Sequence, residues 1–362
     1  MVDHRGDICL APWNLLRIEQ DGNCYSCSSA YVKDYYFFGN IFVDKIDDIW
    51  NGEKARKFRK DKLTKKYDYC QYYRCNLLAS YFADYNIPSF DMKKIDDDYS
   101  SLISEYPTYV SLSYDFSCSE KCVFCRDKIT FLDKDLALKF ESIIDTKIIP
   151  LLRNVKRLEL TCAGEFLASN HSQNVLKKIL SFYPNIELKL FTNGIFFTKE
   201  KISELGIEKN LKDVCVSVNA TKRSTYFKIF RKDNFHLVCE NLKYISELKK
   251  QGKIDLFCLQ FAITRDNYRE IKSFVKFSEK YGAIPVFLFV VENPETQYCK
   301  NYYNYAVHKQ DHYLYNHFVS IISDPLVKKY AKSNFDGFQK ISLYKIFKNY
   351  VNYLKYIKNR RS

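Results

Sequence analysis

The order of hydrophobic runs predicts an α/β fold with a parallel sheet for this chain of 362 residues. From Thr108 onward, six apolar, β-branched runs alternate with five helix-like segments, the signature of repeated βαβ units. The runs read as continuous hydrophobic stretches, as strands buried on both faces do. Apolar types make up 46% of the chain and charged types 28%, which suits a globular protein. No apolar stretch is long enough to span a membrane.

In chain order, residues 1–80 are Cys-rich and irregular, with one helix expected near Ile46–Leu63. Residues 81–107 include the polar stretch Asp91–Ser104 and read as a connector. The core spans 108–292, with strands expected at Tyr109–Tyr114, Arg157–Cys162, Ile186–Phe191, Asp213–Val218, Leu256–Ile263 and Ile284–Val291. Helices are expected between them at Asp133–Leu152, Gln173–Phe182, Lys199–Leu205, His236–Lys250 and Tyr268–Tyr281. Periodicity alone admits either a doubly wound sheet or an incomplete β/α barrel. Residues 293–362 read as a helical extension, with Ile341–Ile357 apolar at helical spacing.

The formal net charge is +14, and it is concentrated. Leu326–Ser362 holds ten basic residues against Asp336 alone. Such a tail can meet nucleic acid, an anionic membrane surface or an acidic substrate, or simply form a solvated face. The start of the sequence lacks a basic region followed by an apolar core, so a cytoplasmic location is expected. Thirteen Cys without a secretory signal then point to metal or catalysis, not to disulfides.

The first strand-like run of the core ends in DFSCSEKCVFC, which puts Cys118, Cys122 and Cys125 in a C-x3-C-x2-C loop. The carboxyl end of a strand is where α/β folds place their chemistry. A structural zinc site wants four ligands. A four-iron cluster normally takes four Cys, and with three, one iron keeps an open position. This loop resembles the hallmark of the radical S-adenosylmethionine (radical SAM) superfamily, C-x3-C-x-aromatic-C, with Phe124 as the aromatic. Further similarity follows at successive strand ends: TCAGEFL, FTNG, VCVSVNA, IFRKDNF and FAITRDNYREI. It covers about Thr108 to Val291. Two departures stand out: Ala163 replaces the first Gly of Gly-Gly-Glu, and Phe166 stands where Pro is usual.

The resemblance implies a partial (β/α)6 barrel of the TIM type. It implies that Cys118, Cys122 and Cys125 ligate a catalytic [4Fe–4S] cluster, whose open iron chelates S-adenosylmethionine. Gly164, Glu165, Asn193, Ser217, Asn219 and Arg231 would cradle that cofactor, Glu165 at its amino group and Arg231 at its carboxylate. The reaction implied is cleavage to a 5′-deoxyadenosyl radical and hydrogen abstraction, in an oxidoreductase or epimerase served by a flavodoxin- or ferredoxin-like donor. The expected substrate is a small polar molecule, with a sugar derivative among the candidates. A peptide maturase and an RNA-modifying enzyme are the rival enzymes, and a zinc-stapled binding protein is the rival without catalysis.

In the amino-terminal region, Cys9, a G-x4-C spacing from Gly22 to Cys27, and the pair Cys70 and Cys75 suggest one four-thiolate site. Spacing alone accepts zinc or iron–sulfur there. Cys24 with Cys27 also makes a zinc-type C-x2-C. The pattern resembles the SPASM or twitch auxiliary-cluster module, here ahead of the core instead of behind it. By that match Cys9, Cys27, Cys70 and Cys75 ligate a second [4Fe–4S] cluster for electron transfer and Cys24 is spare. His308, His312 and His317 are expected on an exposed helix face. Cys162, Cys215, Cys239 and Cys258 are expected in the core.

Overall fold

The computed structural model describes residues 9, 11–29, 32, 36–64, 66–70, 106–160, 164–290, 302–335, 338–340, 342 and 351. Cys75, Cys162, Ala163, Cys299, nearly all of the connector and almost all of Ile341–Ile357 lie outside these residues.

Three strands precede the core: β1 (Leu15–Glu19), β2 (Asn23–Tyr25) and β3 (Gly39–Asn40). Three helices accompany them: α1 (Ala11–Asn14), α2 (Ile46–Asn51) and α3 (Glu53–Leu63). The single helix expected over Ile46–Leu63 is broken at Gly52, whose ψ of 170° is extended.

The core strands follow as β4 (Tyr109–Ser113), β5 (Arg157–Leu160), β6 (Glu187–Thr192), β7 (Leu211–Ser217), β8 (Leu256–Ile263) and β9 (Ile284–Phe289). Between β4 and β5 runs α4 (Lys134–Ile143), capped by the Asp133 carboxylate and continued by a π turn at Ile144–Ile148 and the short α5 (Ile149–Leu151). Next come α6 (Asn170–Phe182), α7 (Lys199–Leu205), α8 (Arg223–Phe230), α9 (Phe235–Lys250) and α10 (Ile271–Lys280). Ser169 and Thr198 cap α6 and α7 by accepting from backbone N–H groups, each worth about 1 kcal/mol. Every expected core strand and helix is present. The helix α8, which ends in the first two residues of IFRKDNF, is the one the apolar pattern misses.

The sheet decides what periodicity leaves open. Its order is β3-β2-β1-β4-β5-β6-β7-β8-β9, and β4 to β9 pair in parallel in chain order. A doubly wound sheet would reverse direction at a switch point. Successive neighbours with no reversal wind one way and put their helices on one face. The strands show it. Val110, Leu112, Leu158, Leu160, Leu188, Leu190, Val214 and Val216 join the main core with Phe140, Leu176, Ile202, Leu242 and Phe274 of the helices. Their neighbours Ser111, Glu159, Lys189 and Asp213 point to the other face, as period two requires. The fold is thus the open, partial (β/α)6 barrel, with strands buried on both faces as expected. The helix-covered face is apolar, whereas the inner face carries charge from β5 to the start of β7 and the apolar Cys215, Cys258 and Val286 on β7 to β9.

The amino-terminal strands extend the same sheet. β1 pairs in parallel with β4, so Arg17 stands beside Ser111 and donates to Ser113 Oγ at 2.9 Å. Glu159 accepts from Tyr109 and Ser111, with Arg17 and Lys189 at 3.9 and 3.5 Å. These groups satisfy one another, which a buried charge requires.

At the other edge the chain continues as α11 (Tyr302–Tyr305), α12 (Tyr315–Ile322) and α13 (Pro325–Phe335). The Phe335 ring lies 5.6 Å from Phe287 of β9, and Phe318 lies 6.4 Å from Phe289. The exposed helix face expected for the three His is not formed. Only His317 is helical, and its Nδ1 lies 2.8 Å from Tyr268 Oη. His312 is buried, with Nε2 3.0 Å from Asn304 O, and the His308 ring lies 4.6 Å from Phe289. The surrounding aromatic rings draw this segment onto β9. No helix among the described residues is long and apolar enough to cross a membrane.

Candidate functional site

The chemistry-bearing residues gather at the carboxyl ends of β4 to β8. Directly after β4, the buried Asp115 anchors the chain. Its carboxylate accepts from Ser117 N and from the hydroxyls of Ser169 and Ser172, tying the loop to the start of α6. Cys118 then forms a short two-way bridge with Thr130, which closes the loop holding Cys122 and Cys125. Cys118 and Cys122 are partly buried, and Cys125 is exposed. Burial pushes the Cys118 thiol up to about 11, and Cys122 is raised further by burial and by its two cysteine neighbours. Three thiolates this close repel one another, so the trio wants a cation. Arg126 supplies part of that charge, while its Nη1 donates to Phe116 O at 2.6 Å.

No group of three or more His, Cys, Asp or Glu among the described residues is set to hold a single metal ion. A cubane distributes its ligands over separate iron corners and therefore spaces them more widely. The donor set of three thiols in one strand-end loop fits a cluster with one open corner. Phe124 packs with Val290, Tyr302 and Ala306, which moors the loop between two of its cysteines.

The loop is also clamped by the turn after α8. Val123 N donates to Ile229 O at 2.9 Å, and Lys232 Nζ donates to Ser119 O at 2.6 Å. Lys232 lies 3.7 Å from the buried Glu120, which also accepts from Asn234 at 3.3 Å. Arg231, at φ 58°, caps α8 and reaches Asp127 at 3.4 Å. Sequence reasoning singled out Arg231 but missed Asp115, Glu120 and Lys232. Their types carry no motif, and only the tertiary contact reveals them.

Across from the loop, Gly164 sits where β5 ends. A Cβ there would lie 2.3 Å from Asp115 O and 2.9 Å from Ser117 O, so only Gly fits. That contact lets Glu165 N donate to Ser117 O at 2.7 Å. The Glu165 carboxylate is 1% exposed and accepts from Thr192 Oγ1, Asn193 N and Leu167 N. Burial nonetheless pushes its pKa up to about 7, against the lowering effect of those donors. Asn193 Oδ1 accepts from Ile195 N, and its buried Nδ2 has no partner among the described residues. Ser217 donates to Gln260 Oε1 at 3.1 Å. Asn219, at φ 58°, accepts from Ala262 N at 2.7 Å and is gripped by Asn267. The left-handed backbone suits Asn.

The amino-terminal thiols form a second assembly. Val32 forms a bridge with Cys70 and packs with Cys27 and Tyr25. Burial pushes Cys9 up to about 11, with the Lys62 charge lowering it and Cys70 raising it. Cys24 faces elsewhere. It is fully buried in the main core, its Sγ lies 3.5 Å from Gly22 O, and its charged neighbours are Asp21, Asp44 and Lys147.

Residues 9–76 match the SPASM family, described as an iron–sulfur cluster-binding domain. The amino-terminal region is thus similar to an iron–sulfur cluster module, as the cysteine spacing suggests. No curated protein matches the chain. Among solved structures, SuiB of Streptococcus suis bound to S-adenosylmethionine is 16% identical with a TM-score of 0.38, over 52% of this chain and 42% of that one. SuiB bound to its precursor peptide SuiA is 14% identical with a TM-score of 0.38, over 77% and 62%. The native anSMEcpe with bound AdoMet is 18% identical with a TM-score of 0.43, over 62% of each chain. The chain therefore spans less than half the length of SuiB in the first of these alignments and less than two thirds in the others.

Proposed function

We propose that the chain is a radical SAM enzyme with two [4Fe–4S] clusters. One is held by Cys118, Cys122 and Cys125, and the other by Cys9, Cys27, Cys70 and Cys75. The observation that carries this reading is the loop itself: three cysteines at the carboxyl end of a parallel strand, facing a polar rim, with Cys118 and Cys122 raised by burial and by the neighbouring thiols. When bound, the cluster and S-adenosylmethionine supply one-electron cleavage of the sulfonium and a radical able to abstract hydrogen.

The chain's own residues supply the binding and the exclusion of water. Gly164 permits the close approach of β5 to the cysteine loop. Glu165 holds Thr192 and Asn193 N in place and so fixes the tip of β6. Asn193 Nδ2, buried and without a partner among the described residues, is the donor that this rim offers to the cofactor. Ser217, Asn219 and Gln260 set the β7–β8 rim, and Arg231 brings a guanidinium to the edge of the loop. Asp127 now engages that guanidinium at 3.4 Å, a long contact that a cofactor carboxylate can displace.

The substrate we propose is small and polar. The inner face of the sheet carries Arg17, Glu159 and Lys189, all under 10% exposed, which suits hydroxyl, amine or carboxylate groups more than a long apolar segment. The four-thiolate site has no open iron for substrate and would relay an electron from the substrate, as in an oxidation. The divisions 1–80, 81–107, 108–292 and 293–362 are proposed as its functional parts, with electrons delivered by a flavodoxin- or ferredoxin-like protein in the cytoplasm.

Anaerobic reconstitution with iron, sulfide, reductant and S-adenosylmethionine tests the reading. Two clusters per chain and formation of 5′-deoxyadenosine, abolished in Cys122→Ala, are expected. A colourless protein loaded with zinc would instead establish a metal-stapled binding protein.

A further inference from the structure

A lysine buried against the amino-terminal thiols is the feature that the proposed catalysis does not use. Lys62 lies on the last turn of α3 and is 1% exposed. Its Nζ is 2.8 Å from Cys70 Sγ. The rings of Phe58 and Tyr67 flank the ammonium at 4.3 and 4.5 Å. Its charge also reaches Cys9. One turn earlier, Arg59 is fully buried too, donating to Pro12 O at 2.9 Å with its guanidinium over Trp50. No carboxylate among the described residues pairs with Lys62. An ammonium taken out of water without a carboxylate is strongly unfavourable unless another resident anion meets it. The groups available here are the sulfurs of Cys70 and Cys9.

We propose that Lys62 is the counter-charge of the auxiliary cluster, a positioning residue that holds the Cys70 ligand by a charge-assisted hydrogen bond and raises the cluster's reduction potential. This rests on the reading of Cys9, Cys27, Cys70 and Cys75 as a second iron–sulfur site. A four-thiolate [4Fe–4S] centre is an anion, and it gains a further negative charge on reduction. A fixed positive charge touching a ligand sulfur stabilises the reduced form more than the oxidised form. Hydrogen bonds to the sulfurs act in the same direction. Among the described residues, the cysteine loop of the core has no such buried lysine. Its nearest cation, Arg126, sits beside an exposed thiol, where solvent weakens its effect. The two centres are therefore set to different potentials, with the auxiliary one the better electron acceptor.

The test is a redox titration of the full-length, anaerobically reconstituted protein, followed by electron paramagnetic resonance, on wild type, Lys62→Met and Lys62→Arg. In Lys62→Met the auxiliary signal shifts to more negative potential while the signal of the Cys118–Cys125 cluster stays in place. Lys62→Arg returns the shift towards wild type. Lys62→Met with iron and sulfide for two clusters and an unmoved potential overturns the proposal. Should Lys62→Met fail to fold, wild-type protein labelled with 15N-lysine gives the answer. Nitrogen hyperfine coupling on the reduced auxiliary cluster is expected, and its absence overturns the proposal. Wild-type protein with iron for one cluster only brings down the underlying two-cluster reading instead, and the iron count tells the two failures apart.

Discussion

The two thiol assemblies of this chain solve the same problem in opposite ways. In the core, three cysteines fall within eight residues of one loop, and the rest of the fold comes to them. The turn after α8 clamps the loop, Asp115 anchors its start, and Gly164 lets the end of β5 approach within van der Waals contact. One thiol, Cys125, faces solvent. In the amino-terminal region the thiols are scattered over more than sixty residues, and the fold has to assemble them through the Val32–Cys70 bridge and the buried face of α3. The first design keeps a sulfur open to solvent, whereas the second sets Cys70 beside a buried lysine flanked by aromatic rings. Local clustering makes an open site, whereas enclosure needs long-range contacts.

The sharpest way to break this comparison is to remove one sulfur from the core loop. Cys122→Ala is expected to abolish 5′-deoxyadenosine formation, by about 100-fold or more, and to lower iron by one cluster per chain while the amino-terminal cluster remains. Retained activity would end the assignment of roles to the two regions.

Gly164→Ala comes next. A methyl group 2.3 Å from Asp115 O has to displace backbone from the cysteine loop. Destabilisation of about 3 kcal/mol is expected, with faster loss of the core cluster than of the auxiliary one. Chemical unfolding combined with timed iron release measures both.

Glu165 sharpens the polar side of the contrast. Its folded-state pKa is raised from 4.5 to about 7 by burial. The protonated group therefore contributes stability below about pH 4.5, and that contribution is lost as pH rises towards 7. The loss should amount to about 3 kcal/mol across this window. Glu165→Gln should remove this slope, and unfolding free energies at several pH values will show whether it does.

The smallest effect is reserved for Cys24. Packed in the core away from the other thiols, it should tolerate Cys24→Ala at a loss of about 1 kcal/mol and no loss of iron. Cys27→Ala, three residues on, should lose one cluster. Equal iron loss in both variants would revive the pairing of Cys24 with Cys27.

Much of the core could be read from the chain because its signals are local. Six hydrophobic runs and the spacing of Cys118, Cys122 and Cys125 depend only on neighbours in sequence, and β4 to β9 appear where those runs lie. The partners of the cysteine loop could not be read this way. Asp115, Glu120 and Lys232 are ordinary polar residues until the fold brings them into hydrogen-bonding range. His308 and His312 were misjudged for a related reason. Their polar neighbours suggested an exposed helix, but the aromatic residues interleaved with them pack onto β9.

By itself the sequence determined the succession of strands and helices and the thiols that can bind metal, because hydrophobic periodicity and ligand spacing are properties of short segments. The tertiary structure alone decided three things. The core strands β4 to β9 pair in chain order, β1 joins the core sheet through its parallel pairing with β4, and Lys62 ends beside Cys70 with no carboxylate among the described residues to balance it. Each depends on strand register and burial between residues far apart in the chain, where a change in packing moves charges by many ångströms without altering any local pattern.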